Sequence, residues 1–94
     1  VAMGNTSFAF GDGTVAIGNA STALDDGAVA IGNNALASTA GSVALGNGAE
    51  AIAANSVALG NGTQATRDNS VAVGNSGEER QITGVAAGTQ ATDA

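Results

Sequence analysis

The side chains able to do acid–base or binding chemistry are few: Asp12, Asp25, Asp26, Glu50, Asp68, Glu78, Glu79 and Asp93, set against Arg67 and Arg80. No histidine or cysteine accompanies them, which removes the commonest general base, zinc ligation and disulfides. Asp25-Asp26-Gly27 comes nearest to a cation loop, but it occurs once and lacks the glycine-rich nonapeptide of calcium-binding rolls. No metal or cofactor is expected. Glycoside hydrolysis needs two carboxylates across a cleft, one tuned as an acid, and nothing in these spacings forms one, so no enzymatic activity is expected. Gly46-Asn47-Gly48 and Gly60-Asn61-Gly62 imitate phosphate loops without the following lysine and helix; they are turns. A net charge of −6 would be repelled by a phosphate backbone, so no nucleic-acid partner is expected. The chain has no apolar run near the length of a membrane span and no signal-peptide pattern. No direct membrane contact is expected, and a start at Val1 reads as the interior of a larger protein.

These few charges sit on a scaffold of small residues. Alanine (22) and glycine (15) dominate, while Val, Ile, Leu and Phe number only 18 of 94. Composition alone leans towards disorder; the order of the residues overturns that. A Val-Ala-apolar-Gly unit recurs at Val1, Val15, Val29, Val43, Val57, Val71 and Val85, every 14 residues without insertion. Two residues on come Met3, Ile17, Ile31, Leu45, Leu59, Val73 and Ala87, then an unbroken glycine column from Gly4 to Gly88. Asn5 to Asn75 follow, ending at Thr89. Half a period later a fainter column, Ala9, Ala23, Ala37, Ala51 and Ala65, follows Ser7, Ser21, Ala35, Ala49 and Thr63.

Val and the apolar residue two positions on point to one face of a strand, with the intervening alanine on the other. Gly and Asn admit positive φ and mark corners. Fourteen residues therefore make one coil of two short strands in opposite sheets, and stacked coils pair in parallel, in register. Six to seven coils are expected, with an asparagine ladder along Asn5–Asn75. A helix would need apolar residues at i, i+3, i+4 and i+7, which the repeat lacks. The fold class is all-β: a parallel β-roll, or solenoid, with 14-residue coils. Val15, Ile17, Val29, Ile31, Val43, Leu45, Val57, Leu59, Val71 and Val73 are the expected roll core. Ala16, Ala30, Ala44, Ala58 and Ala72 then face outwards as a small column suited to close approach of another chain. Such a thin core buries little, so self-association is expected to complete it.

The repeat S/T/A-V-A-I/L-G-N resembles the head of YadA-like trimeric autotransporter adhesins over residues 1–75. Residues 76–94 resemble the family's neck: Arg80-Gln81-Ile82-Thr83-Gly84-Val85-Ala86-Ala87-Gly88-Thr89, then Thr92-Asp93-Ala94. Gly84 departs from the usual asparagine, and Phe8-Ala9-Phe10 places aromatics where other repeats are small. The resemblance implies a homotrimer of left-handed rolls and a neck in which each chain crosses to its neighbour before a coiled-coil stalk. Neck and trimer contacts then fall on Glu79, Arg80, Gln81, Ile82, Thr83, Val85, Ala86 and Ala87, with an Arg80 ion pair to Glu78 or Glu79 between subunits. It also implies a cell-surface location, anchored in a Gram-negative outer membrane by a C-terminal barrel, and attachment to host matrix proteins or cell-surface receptors.

The alternative is a structural spacer that displays another head. An ice-binding solenoid needs a flat rank of Thr-x-Thr, which these threonines do not form. Ligand preference is assigned to the corners that vary between repeats: Asp25-Asp26, Ala37-Ser38-Thr39 and Thr66-Arg67-Asp68.

Overall fold

The computed structural model describes residues 1–94. Eleven short strands follow the 14-residue frame: β1 Ala2–Met3, β2 Phe8–Ala9, β3 Val15–Ile17, β4 Thr22–Ala23, β5 Val29–Ile31, β6 Leu36–Ala37, β7 Val43–Leu45, β8 Glu50–Ala51, β9 Val57–Leu59, β10 Gln64–Ala65 and β11 Val71–Ala72. Odd strands form a six-stranded sheet in the order β1-β3-β5-β7-β9-β11, and even strands form a five-stranded sheet. Every pairing is parallel and offset by one repeat, as in Val29↔Val43, Ala30↔Ala44 and Ile31↔Leu45. The chain is therefore a two-sided parallel β-solenoid of five complete coils with a sixth begun by β11. That is fewer than the six to seven read from the markers, because the seventh, Val85, lies outside the sheets and is exposed.

The alternation along each strand is as expected, but its phase is opposite. Ala16, Ala30, Ala44 and Ala58 are fully buried, as are Ala23, Ala37, Ala51 and Ala65 of the opposite sheet. Val15, Ile17, Val29, Val43, Leu45, Val57, Leu59 and Val73 are only part-buried, and Ile31 and Val71 are exposed. The valine–leucine set is the outer face, and the alanine column is the core rather than a subunit-facing surface. Ala72, in the last strand, is part-buried against that core.

The physical reason lies in the corners. Only Gly18–Ser21 joins β3 to β4, and only Leu24–Ala28 joins β4 to β5. Both are closed into tight turns, with the Ser21 N–H donating to the Gly18 carbonyl at 3.2 Å and the Ala28 N–H to the Asp25 carbonyl at 3.0 Å, and the sheets they join come too close for large facing side chains. Methyl-sized groups fill the gap: beside the alanines lie Thr14, Ser21, Ser42, Ser56 and Thr63. Their hydroxyls are spent locally. Ser21 Oγ donates to the Gly18 carbonyl at 2.9 Å and Ser56 Oγ to that of Ala53 at 2.6 Å, so these small polar groups enter the core with their hydrogen bonds made.

Corner chemistry fixes the glycine column. Gly18 has φ +126°, and a Cβ there would lie 2.6 Å from the Gly32 carbonyl oxygen of the next coil. The asparagines that follow make no amide ladder. Their carbonyls accept instead, from the residue one step beyond the asparagine of the next coil, as in Ala20 N–H to Asn5 O and Asn34 N–H to Asn19 O. Those donors, Ala20 and Asn34, and Thr6 at the same position of the first coil, carry the left-handed backbone one position later than expected. An amide pair does form in the other corner, where Asn55 Nδ2 donates to Asn69 Oδ1 at 2.9 Å.

Candidate interaction surfaces

Inverting the core leaves the roll with two unlike outer faces. The six-stranded face is aliphatic in every coil: Val15 and Ile17, Val29 and Ile31, Val43 and Leu45, Val57 and Leu59 stand in matching rows. The five-stranded face is mixed. One column runs Phe8, Thr22, Leu36, Glu50, Gln64. The other runs Phe10, Leu24, Ser38, Ile52, Thr66, with Phe10, Leu24, Ser38 and Ile52 held in the ladder by N–H groups that donate to Ala23, Ala37, Ala51 and Ala65. Phe8, Phe10, Leu24 and Ile52 are about half exposed, and the two phenyl rings stack 5.7 Å apart. The sequence carries this face as bulky residues flanking the faint alanine column, Phe8 and Phe10 about Ala9, Leu24 after Ala23, Leu36 before Ala37 and Ile52 after Ala51.

The corners singled out for ligand choice have structural employment. Asp26 Oδ1 accepts from the Asp12 N–H at 2.8 Å, and Asp68 Oδ1 from the Ala54 N–H at 3.0 Å, each bridging to the preceding coil. Thr39 Oγ1 donates to the Ala53 carbonyl at 2.8 Å. Ala37 belongs to β6 and is fully buried.

The end of the roll is closed by side chains. The inward alanine of each coil would next fall at residue 79, which is glutamate, too large for a methyl-sized core. Arg80 turns under the last coil instead. Its Nη1 donates to Thr63 Oγ1 and the Val73 carbonyl, both at 2.8 Å, and its Nη2 to the Asn61 carbonyl at 2.9 Å. Asn75 adds to the cap by accepting from the Gln64 N–H at 2.8 Å and donating to the Gly62 carbonyl at 2.7 Å. Arg80 thus serves its own chain's roll, and the ion pair with Glu78 or Glu79 is not its use within the chain. The Glu79 carboxylate accepts from the Gly77 N–H at 3.1 Å, and hydrogen bonds from the backbone N–H groups of Glu79 itself and of Gly77 hold it below the ordinary glutamate range. Asp93 is likewise lowered, by the Thr89 and then the Gln90 N–H.

The remaining neck residues, Gln81, Ile82, Thr83, Val85, Ala86 and Ala87, are exposed in the single chain. No helix of the chain is long and apolar enough to cross a membrane.

The sequence matches the family model of the YadA head domain repeat over residues 1–21, 11–35, 23–49 and 51–76. No curated protein matches the chain by sequence. Among solved structures, the collagen-binding domain of the Yersinia adhesin YadA is similar, with a TM-score of 0.71 and 32% identity over 98% of this chain and 67% of that one. Repeat, solenoid and structural match agree, and the chain belongs to the YadA head-repeat family of trimeric autotransporter adhesins.

Proposed function

We propose that this chain is a non-enzymatic adhesin head that attaches a Gram-negative bacterium to host extracellular matrix, collagen in particular. One observation carries the proposal: the whole roll aligns, at 32% identity, with a domain described as collagen-binding. The carboxylates support the non-enzymatic part. Asp26, Asp68, Glu79 and Asp93 are engaged with backbone N–H groups rather than converging on a cleft.

The head assembles as a homotrimer through its aliphatic face. The Val, Ile and Leu rows, part-buried or exposed in every coil, form a contiguous apolar sheet surface of the kind that marks an interaction site, and its uniformity from coil to coil suits contact with an identical surface. The neck, residues 76–94, follows the head of residues 1–75. There Ile82 and Val85, exposed at 68% and 56%, gain cover from neighbouring chains as they gather towards a stalk. The stalk and a C-terminal barrel place the head at the cell surface. Three copies per fibre and many fibres per cell multiply a modest affinity for each site.

Pull-down of fibrillar collagen, fibronectin and laminin by the chain tests the proposal. Saturable retention of collagen supports it. Retention of none of the three overturns it in favour of a spacer that carries another binding head.

A further inference from the structure

The corner after each valine strand carries a chemistry that the rest of the roll lacks. The residue following its asparagine is Thr6, Ala20 and Asn34 in the first three coils and glycine in the next two, which makes Asn47-Gly48 and Asn61-Gly62. Glycine leaves the backbone nitrogen unshielded by a side chain, and both asparagines are exposed. The roll does not demand these glycines. All five residues hold φ between +56° and +70°, Ala20 among them, and a Cβ on Gly62 would meet nothing within 4 Å. The fold keeps both nitrogens occupied: the Gly48 N–H donates to the Asn33 carbonyl and the Gly62 N–H to that of Asn47, each at 2.8 Å. The two corners differ in what lies beyond them. Asn47 is covered by a further coil, through that Gly62 N–H. At Asn61 the same pattern would call on the Ser76 N–H, but side chains take its place: the Asn61 carbonyl accepts from Arg80 Nη2 at 2.9 Å and the Gly62 carbonyl from Asn75 Nδ2 at 2.7 Å.

We propose that Asn61-Gly62 is a self-modification site, kept silent by the side-chain cap of Arg80 and Asn75. When the last coil opens, the Gly62 nitrogen gives up its proton and attacks Asn61 Cγ. The new N–Cγ bond closes a five-membered succinimide, and the Cγ–Nδ2 bond breaks with release of ammonia, which carries the proton away. Water then attacks either imide carbonyl and breaks its C–N bond, the Gly62 nitrogen regains a proton, and aspartate or isoaspartate is left at position 61. The isoaspartyl product threads the main chain through Cβ and Cγ, one atom longer than before, so the Gly62 N–H no longer meets Asn47 and the coil cannot restack. Either product adds a negative charge to a chain already at −6. An N–H held in a ladder is released only by local opening, and chain ends open before internal elements. Asn47-Gly48, one coil further in, therefore stays protected when only the last coil opens. Each such event makes opening of the roll's end irreversible, and the cap sets how often it occurs.

The test incubates the purified chain at mildly alkaline pH and follows conversion of Asn47 and Asn61 by peptide mass spectrometry. The unaltered chain, folded and in urea, is compared with Arg80→Ala, Asn75→Ala and Gly62→Ala. Asn75→Ala removes only the cap contacts to Gly62 and Gln64, so it serves if Arg80→Ala does not fold. The folded chain is expected to convert Asn61 far more slowly than the chain in urea. Arg80→Ala should raise the Asn61 rate by about 5- to 30-fold, in step with the lost hydrogen bonds of a charged donor, and Asn75→Ala should raise it too, with Asn47 unchanged in both. Gly62→Ala should fold, as Ala20 does at the same corner, and should slow conversion at position 61 even in urea. Conversion of Asn61 in the folded chain as fast as in urea overturns the proposal, as does an Asn61 rate that neither cap variant moves. An equal rise at Asn47 also overturns it, because the site would then follow global unfolding rather than the cap.

Discussion

Arg80 Nη1 donates to Thr63 Oγ1 at 2.8 Å, and the guanidinium sits where the next coil's glycine would otherwise stack. A Cβ built on Gly60 would lie 2.9 Å from Arg80 Cζ, whereas one on Gly18 meets the Gly32 carbonyl oxygen at 2.6 Å. One planar cation thus replaces a turn of solenoid and covers carbonyls that would otherwise face an open end. Repeat proteins need such terminal caps because every internal coil relies on its neighbours.

Arg80→Ala is expected to loosen the last coil by about 1–2 kcal/mol, since hydrogen bonds from a charged donor are lost and their acceptors are left to water. Amide exchange should quicken at Gly60, Gly62 and Thr63 while the coils around Ala30 keep their protection. Arg80→Lys should recover only part of the loss, because an ammonium lacks the planar fork that reaches Thr63, Val73 and Asn61 together.

The inverted core makes a paired prediction. Ala44→Leu should destabilise the roll by about 3 kcal/mol, because a methyl-sized slot between two sheets has no room for three extra carbons. Leu45→Ala, one residue on, should keep the β spectrum and weaken assembly instead. Thermal melts followed by circular dichroism, with mass measured on the same samples, separate the two. A larger loss of fold from Leu45→Ala would restore the valine–leucine core.

Two neighbouring corner positions should respond with opposite sign. Gly18→Ala places a Cβ against the Gly32 carbonyl at φ +126°, and a loss of about 2 kcal/mol or more is expected from left-handed strain plus overlap. Ala20 already holds φ +61°, so Ala20→Gly should relieve strain and raise stability by up to about 1 kcal/mol. Denaturant midpoints check both.

The neck turns at Glu79 and Asp93 should respond to acid. Both carboxyls titrate below their ordinary values of 4.5 and 3.8 because backbone N–H groups favour the charged form. A lowered folded pKa means that their contribution is present above those ordinary values and is lost as pH falls through the lower folded ones. Carboxyl carbon NMR titrations should place both midpoints below the ordinary values, with the Gly77, Thr89 and Gln90 amide shifts moving in step. Midpoints at or above those values would contradict the assignment.

The coil length, parallel register and two-sheet division could be read from the valine and glycine columns, because a strict 14-residue repeat admits few other solutions. The direction of the core could not. A period of two says that Val15 and Ile17 share a face and that Ala16 takes the other, but not which face is inside. Large side chains inside is the ordinary expectation, and here the hydrogen-bonded tightness of the corners decides against it. The neck motif placed Arg80 at a junction, but its partner Thr63 lies 17 residues back and belongs to a column whose other members are serine and alanine. Nothing in that spacing announces a hydrogen bond.

The assignment of the aliphatic face to self-assembly is tested most directly by light scattering from the purified chain. The account predicts a β-rich species of three times the 8.8 kDa chain mass, falling towards one chain when Ile31→Asp places a charge on the aliphatic face. A stably folded single chain with Val29, Ile31, Val43 and Leu45 in water would contradict it.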